Sequence, residues 1–157
     1  MNTVKIDKKN CRMIAHRGVS GLEKENTCAA FVAAGVKTYY GIETDVHVTA
    51  DGEYFIFHDD NMKRIAGVDM DIERSTAEQL RAVRMPDTDG KTFRSDLVVP
   101  ALKDYISICG KYDKTAVLEL KNPMERKHVL NIAALVKDMG WLDRTIFISF
   151  AKENLVT

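Results

Sequence analysis

Neither sign of charge is in excess: 23 Lys and Arg face 23 Asp and Glu, so the formal net charge is zero. Proteins that work on nucleic acid or anionic membranes carry a basic surface, so both are excluded as the main partner. A local basic patch for one phosphate is still allowed. Cysteine is scarce. Cys11, Cys28 and Cys109 stand far apart with no metal-type spacing, and an odd count suits a reducing compartment. No apolar run is long enough for a signal peptide or a membrane span. The expected location is therefore the cytoplasm, with no membrane span. The chain also has no G-x-G-x-x-G turn, no H-x-x-x-H pair, no internal repeat and no low-complexity tract. A dinucleotide fold and a histidine-rich zinc site lose their main signatures.

What is present points to an α/β protein. A chain of 157 residues forms one domain with a real core, burying roughly 68–70% of its unfolded surface. Short β-like runs fall at 12–16, 40–48, 54–58, 115–120 and 145–150, with helical patterns between most of them. Residues 26–35 are alanine-rich and end on Gly35, and 101–110 follow Pro100 and close on Gly110. A capping box, Ser75 with Glu78, opens another helix. Val129, Ile132, Ala133, Val136 and Met139 mark one face of a further helix over 124–140. Residues 60–98 read as an insertion rather than a linker, because they hold their own capped helix. Alternating apolar strands and helices predict a mainly parallel sheet, and the (β/α)₈ barrel places its site at the C-terminal strand ends. His16, His58 and Glu119 each close such a run.

The second run, "GIETDVHV" (41–48), raises the functional question. Ile42, Thr44, Val46 and Val48 share one face, while Glu43, Asp45 and His47 share the other. Taken singly, each polar feature has a bland explanation: a solvated face, a turn at His58-Asp59, a surface ion pair at Glu119 and Lys121. Solvated faces, however, do not repeatedly set acids beside runs such as "FIFH" and "AVLEL". A two-residue hairpin at Asp51-Gly52 predicts that Asp45 lies opposite His58, with Cβ atoms about 4.5–5.5 Å apart. The 12 residues between them are too few for a crossover helix and a parallel strand, so this connection departs from the barrel pattern. Carboxylates without thiolates form a hard-oxygen site suited to Mg²⁺ or Ca²⁺. Two histidines, with Arg17 and Lys121 nearby, supply acid/base and charge-neutralising groups for phosphoryl chemistry.

In order and spacing, "IAHRGVSGLEKENTCAAF", "GIETDVHVTADGEYFIFHDD", "VPALKDYI" and "LELK" resemble the glycerophosphodiester phosphodiesterase family, from about Met13 to Phe150. The resemblance implies a (β/α)₈ TIM-barrel fold and metal-dependent hydrolysis of small glycerophosphodiesters to an alcohol and sn-glycerol 3-phosphate. It implies that His16 and His58 are the acid/base pair, and that Glu43, Asp45 and Glu119 hold one divalent cation, Mg²⁺ or Ca²⁺. Arg17 and Lys121 match the phosphate-binding cations. The insertion at about 60–98 matches one that family members carry after the third strand. Asn26 and Thr27 match its "ENT", in either a structural or a substrate role. His47 reads as packing or as support behind the site, and His128 as a surface histidine.

Length sets this chain apart. A barrel takes roughly 250 residues, so residues 1–157 are expected to form a single, truncated domain holding about the first five strands. Either the chain is a fragment, or another copy completes the barrel as a homo-oligomer, or the fold closes differently. A lysophospholipase D-like lipid phosphodiesterase and a non-catalytic half-barrel needing a partner chain are the competing readings of function.

Overall fold

In the computed structural model, residues 9–156 are described. Along them run β1 (Ile14–Ala15), α1 (Cys28–Gly35), β2 (Gly41–Val48), β3 (Tyr54–Ile56), α2 (Lys63–Ala66) and α3 (Ala77–Ala82). Then come α4 (Leu102–Lys111), β4 (Thr115–Leu120), α5 (Arg126–Asp138) and β5 (Thr145–Ile148). β1, β2, β4 and β5 form a parallel sheet in that order, and β3 pairs with β2 in the antiparallel sense. This is the α/β barrel architecture in part. Its four parallel strands are half of the eight that close a (β/α)₈ barrel. No described helix is long and apolar enough to cross a membrane.

Parallel partners in register project to the same side, so pairing assigns the faces. Ile42 lies beside Ala116, and Thr44 beside Leu118, which in turn lies beside Phe147. This side of the sheet packs on Phe31 and Ala34 of α1, Leu102, Tyr105 and Ile106 of α4, and Ile132 and Val136 of α5. The Tyr105 hydroxyl donates to the Ile42 carbonyl at 2.7 Å, and its ring meets Phe31 edge-on at 5.1 Å. Each of these fully buried side chains contributes roughly 1.5–3 kcal/mol. On the opposite side, Glu43 lies beside Val117 and Asp45 beside Glu119, with Ile146 and Ile148 next along those two rows.

The segment 60–98 carries a second buried cluster, with Met62, Ile65, Ile72, Leu80, Met85 and Leu97 packed on Phe55 and Phe57. Its helix α3 does hold a capping box, one residue later than the sequence suggests. Thr76 accepts from the Gln79 N–H and Gln79 accepts from the Thr76 N–H, while Ser75 donates to the Asp71 carbonyl instead. Position 35, the last of α1, requires glycine, since a Cβ there would lie 2.5 Å from the Tyr112 ring.

The β2–β3 register corrects one expectation. Val46 pairs with Ile56 and Val48 with Tyr54, across a loop over 49–53 rather than a two-residue turn. The Thr49 N–H donates to the Glu53 carbonyl, and its hydroxyl donates to Asp51 at 2.5 Å, which widens the loop. Asp45 therefore stands across from Phe57, whose N–H reaches the Asp45 carbonyl at 3.1 Å. His58 lies one residue further on and is not opposite Asp45.

Candidate active site

The polar face of β2 is not solvated. Glu43, Asp45 and His47 are all buried, which answers why a strand carries two acids and an imidazole in alternation. Glu43, Asp45 and, on β4, Glu119 bring one carboxylate oxygen each to within 4.8 Å of one another. Register brings them together, because Asp45 is the lateral neighbour of Glu119 and Glu43 sits one pleat below.

The turn after β1 closes over this trio. Arg17 takes a left-handed backbone conformation at φ 53°, costing about 1–3 kcal/mol, and this aims its N–H at Glu43 Oε2, 2.9 Å away. Gly18 follows at φ 73°, pressed against Ala30 so that a Cβ would sit 2.7 Å from it. Asn26, also left-handed, donates from Nδ2 to Asp45 Oδ2 at 2.9 Å and accepts from the Thr44 hydroxyl at 2.8 Å. Asn26 thus orients a carboxylate of the trio. Thr27 caps α1.

Cations ring the acids. Lys121 Nζ is 2.9 Å from Glu119 Oε1 and 3.8 Å from Asp45 Oδ1, and Arg17 Nε is 3.8 Å from Asp45 Oδ2. His16 Nε2 is 3.8 Å from Glu43 Oε2, with the ring largely open to solvent. His58 is tied to the group indirectly. Its Nδ1 lies 2.7 Å from Asp59, Asp59 is held by Arg64, Arg64 also binds Glu25, and Glu25 binds Arg17. A groove of about 310 Å³ lined by Glu119, Lys121, Asn122 and Phe150 adjoins the trio.

Two features make the trio a place that could hold a cation. Asp45 Oδ1 is buried without a hydrogen-bond partner, and buried carboxylate oxygens are ordinarily satisfied. Burial, with the charges of Asp45 and Glu119, pushes Glu43 up to about 7 from 4.5, against the opposing pull of the Arg17 N–H. A divalent ion would relieve both, and an all-oxygen donor set fits a hard one. The sign of the coupling follows. Between about pH 4.5 and about 7, Glu43 is ionised when unfolded but protonated when folded without an ion. Its contribution to stability is therefore full below the lower value and lost as pH rises through the upper. A cation held by the trio would compete with that proton, so divalent-cation affinity should climb with pH and level off above about 7. Calorimetry at about pH 6 and about pH 8 should show proton release only at the lower pH. An affinity flat across that range would refute the coupling.

The structure also completes the account of the remaining residues. His47 is fully buried with Nδ1 3.0 Å from Glu73 of the insertion. His128 is half-buried rather than on the open surface, sharing a hydrogen bond with the Tyr54 hydroxyl at 3.2 Å. All three cysteines are free, and Cys11 is exposed. Burial raises the Cys28 and Cys109 thiols to about 11 and about 12, so neither is a nucleophile at neutral pH. Glu25, Asp59 and Arg64 are members of the site's network that no local spacing announces.

Comparison with known proteins agrees with this geometry. Residues 16–157 match the glycerophosphoryl diester phosphodiesterase family profile. The chain is 31% identical to YqiK, an uncharacterized protein of Bacillus subtilis, over 92% of this chain and 60% of the relative. It is 28% identical to a glycerophosphodiester phosphodiesterase of Caldanaerobacter subterraneus, over 91% of this chain and 59% of the relative. Among solved structures, an Oleispira antarctica phosphodiesterase in complex with the product sn-glycerol-3-phosphate superposes with a TM-score of 0.74 at 26% identity, over 93% of this chain and 60% of that one. The chain thus spans about 60% of the length of these relatives.

Proposed function

This chain belongs to the glycerophosphoryl diester phosphodiesterase family, and from that premise we propose that its pocket serves the hydrolysis of glycerophosphodiesters to an alcohol and sn-glycerol 3-phosphate. The observation that carries the reading is the buried trio of Glu43, Asp45 and Glu119, with an unpartnered Asp45 oxygen beside Lys121 and Arg17. Glu43, Asp45 and Glu119 would hold one Mg²⁺ or Ca²⁺, which when bound would offset charge on the phosphoryl oxygens. Arg17 and Lys121 bind the phosphate. Lys121 now pairs with Glu119, one of the carboxylates that would hold the ion, while Arg17 is held by Glu25 with its Nε 3.8 Å from Asp45. His16 and His58 exchange protons, one removing a proton from the attacking oxygen while the other protonates the departing alcohol. The Nδ1 of His58 is engaged by Asp59, which leaves Nε2 as the atom that moves the proton. The product held by the Oleispira antarctica relative supports the same chemistry here. The purified chain with Mg²⁺ and a panel of glycerophosphodiesters should yield sn-glycerol 3-phosphate, followed by phosphorus NMR. Absence of any phosphomonoester across the panel would overturn the reading.

The open sheet bears on how this pocket is completed. β5 has one unpaired edge among the described residues, and the site-bearing side of the sheet shows Ile146 at 46% exposure beyond the trio. Phe150, Leu155 and Val156 are exposed as well, as are Met13 and Ile14 at the other edge. Leaving each such side chain in water forgoes roughly 1.5–3 kcal/mol, and bare edges invite pairing. These 157 residues expressed alone should therefore self-associate through the β5 face. Light scattering should give a multiple of 17.7 kDa. A well-behaved monomer at every concentration would refute self-association.

A further inference from the structure

We propose that Arg64 is a positioning residue that sets the His58 imidazole and the Arg17 guanidinium relative to each other, an inference that rests on the phosphodiesterase reading above. Arg64 lies in α2, inside the insertion and 39 residues from Glu25. Its guanidinium grips two carboxylates at once. Nε and Nη2 donate to Asp59 at 2.6 and 2.9 Å, and Nη1 and Nη2 donate to Glu25 at 3.1 and 2.9 Å. Each carboxylate has a second partner in the pocket. Asp59 Oδ1 meets His58 Nδ1 at 2.7 Å, and Glu25 Oε1 accepts from Arg17 Nη1 at 3.0 Å. One planar fork thus ties the imidazole on one side of the pocket to the cation beside Asp45 on the other.

Arginine is suited to this task in a way lysine is not. Its donors are fixed in a plane and match two carboxylates bidentately, whereas an ammonium acts as a point charge. The link contributes little to folding, because Arg64 is half exposed and exposed ion pairs are weak. Its consequence is geometric. The fork fixes the plane of the Asp59 carboxylate so that Oδ1 faces His58 Nδ1 and sets its tautomer. Without the fork, the Asp59 carboxylate rotates away from Nδ1, and Glu25 no longer holds Arg17 against the trio. Misplacement of reacting groups by about 1 Å costs about 10²-fold in rate.

The test uses the full chain with Arg64→Ala, Arg64→Lys and Glu25→Gln. Arg64→Ala should lower kcat by about 10–100-fold with its melting temperature little changed. Arg64→Lys should fail to restore the rate, because charge without the fork does not position. Glu25→Gln should lose activity in the same direction, and the double variant should be no worse than Arg64→Ala alone, as for groups acting through one contact. Should Arg64→Ala unfold, Glu25→Gln carries the test from the other end of the fork. A kcat within twofold of the parent, or full rescue by lysine, would overturn the proposal. Nitrogen-15 NMR of the His58 ring gives a readout independent of turnover. The parent should show one Nδ1-protonated tautomer in its neutral form, and Arg64→Ala a mixture. If the parent forms no product, the phosphodiesterase reading fails, and the ring signature alone decides: identical spectra would refute the positioning role.

Discussion

Replacing His16 or His58 by alanine should lower turnover by about 10²–10⁴-fold, the range for a lost general acid or base. Apparent substrate affinity should change far less, because Arg17, Lys121 and the cation site are untouched. Stability should hardly move in either variant, for different reasons. The His16 ring is 68% exposed, with a Glu43 carboxylate oxygen 3.8 Å away. Deleting it removes almost no burial. His58 gives up its contact with Asp59, but Asp59 keeps both hydrogen bonds from Arg64. Steady-state kinetics across pH provide the check, since loss of one proton-transfer group should remove one limb of the rate profile. Near-normal turnover in His58→Ala would take that residue out of the chemistry and leave its pairing with Asp59 purely structural.

Removing divalent cations should abolish activity, and Mg²⁺ or Ca²⁺ should restore it better than Zn²⁺. Three carboxylates with no thiolate or clustered imidazole favour hard ions. Without a cation, three acidic groups share one buried pocket with an orphaned oxygen at Asp45, and Lys121 and Arg17 are engaged in neutralising them. The ion should also stabilise the fold, since a ligand that binds only the native state at 100 times its Kd adds about 2.7 kcal/mol. Thermal melts with and without Mg²⁺ read this apart from catalysis. Asp45→Asn should lose both the activity and the Mg²⁺-dependent rise in melting temperature. Full turnover in excess chelator, or a melt indifferent to every divalent ion, would mean that the trio serves another purpose.

Much of this site was legible in residues lying close together in the chain. Glu43 and Asp45 at i and i+2 declare one face of a strand, and the flanking Ile42, Val46 and Val48 declare the other, because strand side chains alternate whatever lies around them. The positions of His16, Glu119 and Lys121 at strand ends follow from the same local periodicity. Where two local solutions are nearly equal, the sequence does not choose. Ser75 with Glu78 and Thr76 with Gln79 are both plausible capping boxes, and the packing of the insertion selects the second. Asp51-Gly52 suggests a two-residue turn, yet the hydrogen bonds of Thr49 lengthen the loop and shift His58 one place away from Asp45. The links through Glu25, Asp59 and Arg64 depend wholly on where the insertion returns to the sheet. Periodicity is settled within a few residues, by backbone geometry alone. Partners of charged side chains are settled only when distant segments meet, and so the acids could be read from the sequence while the arginine that joins the two sides of the pocket could not.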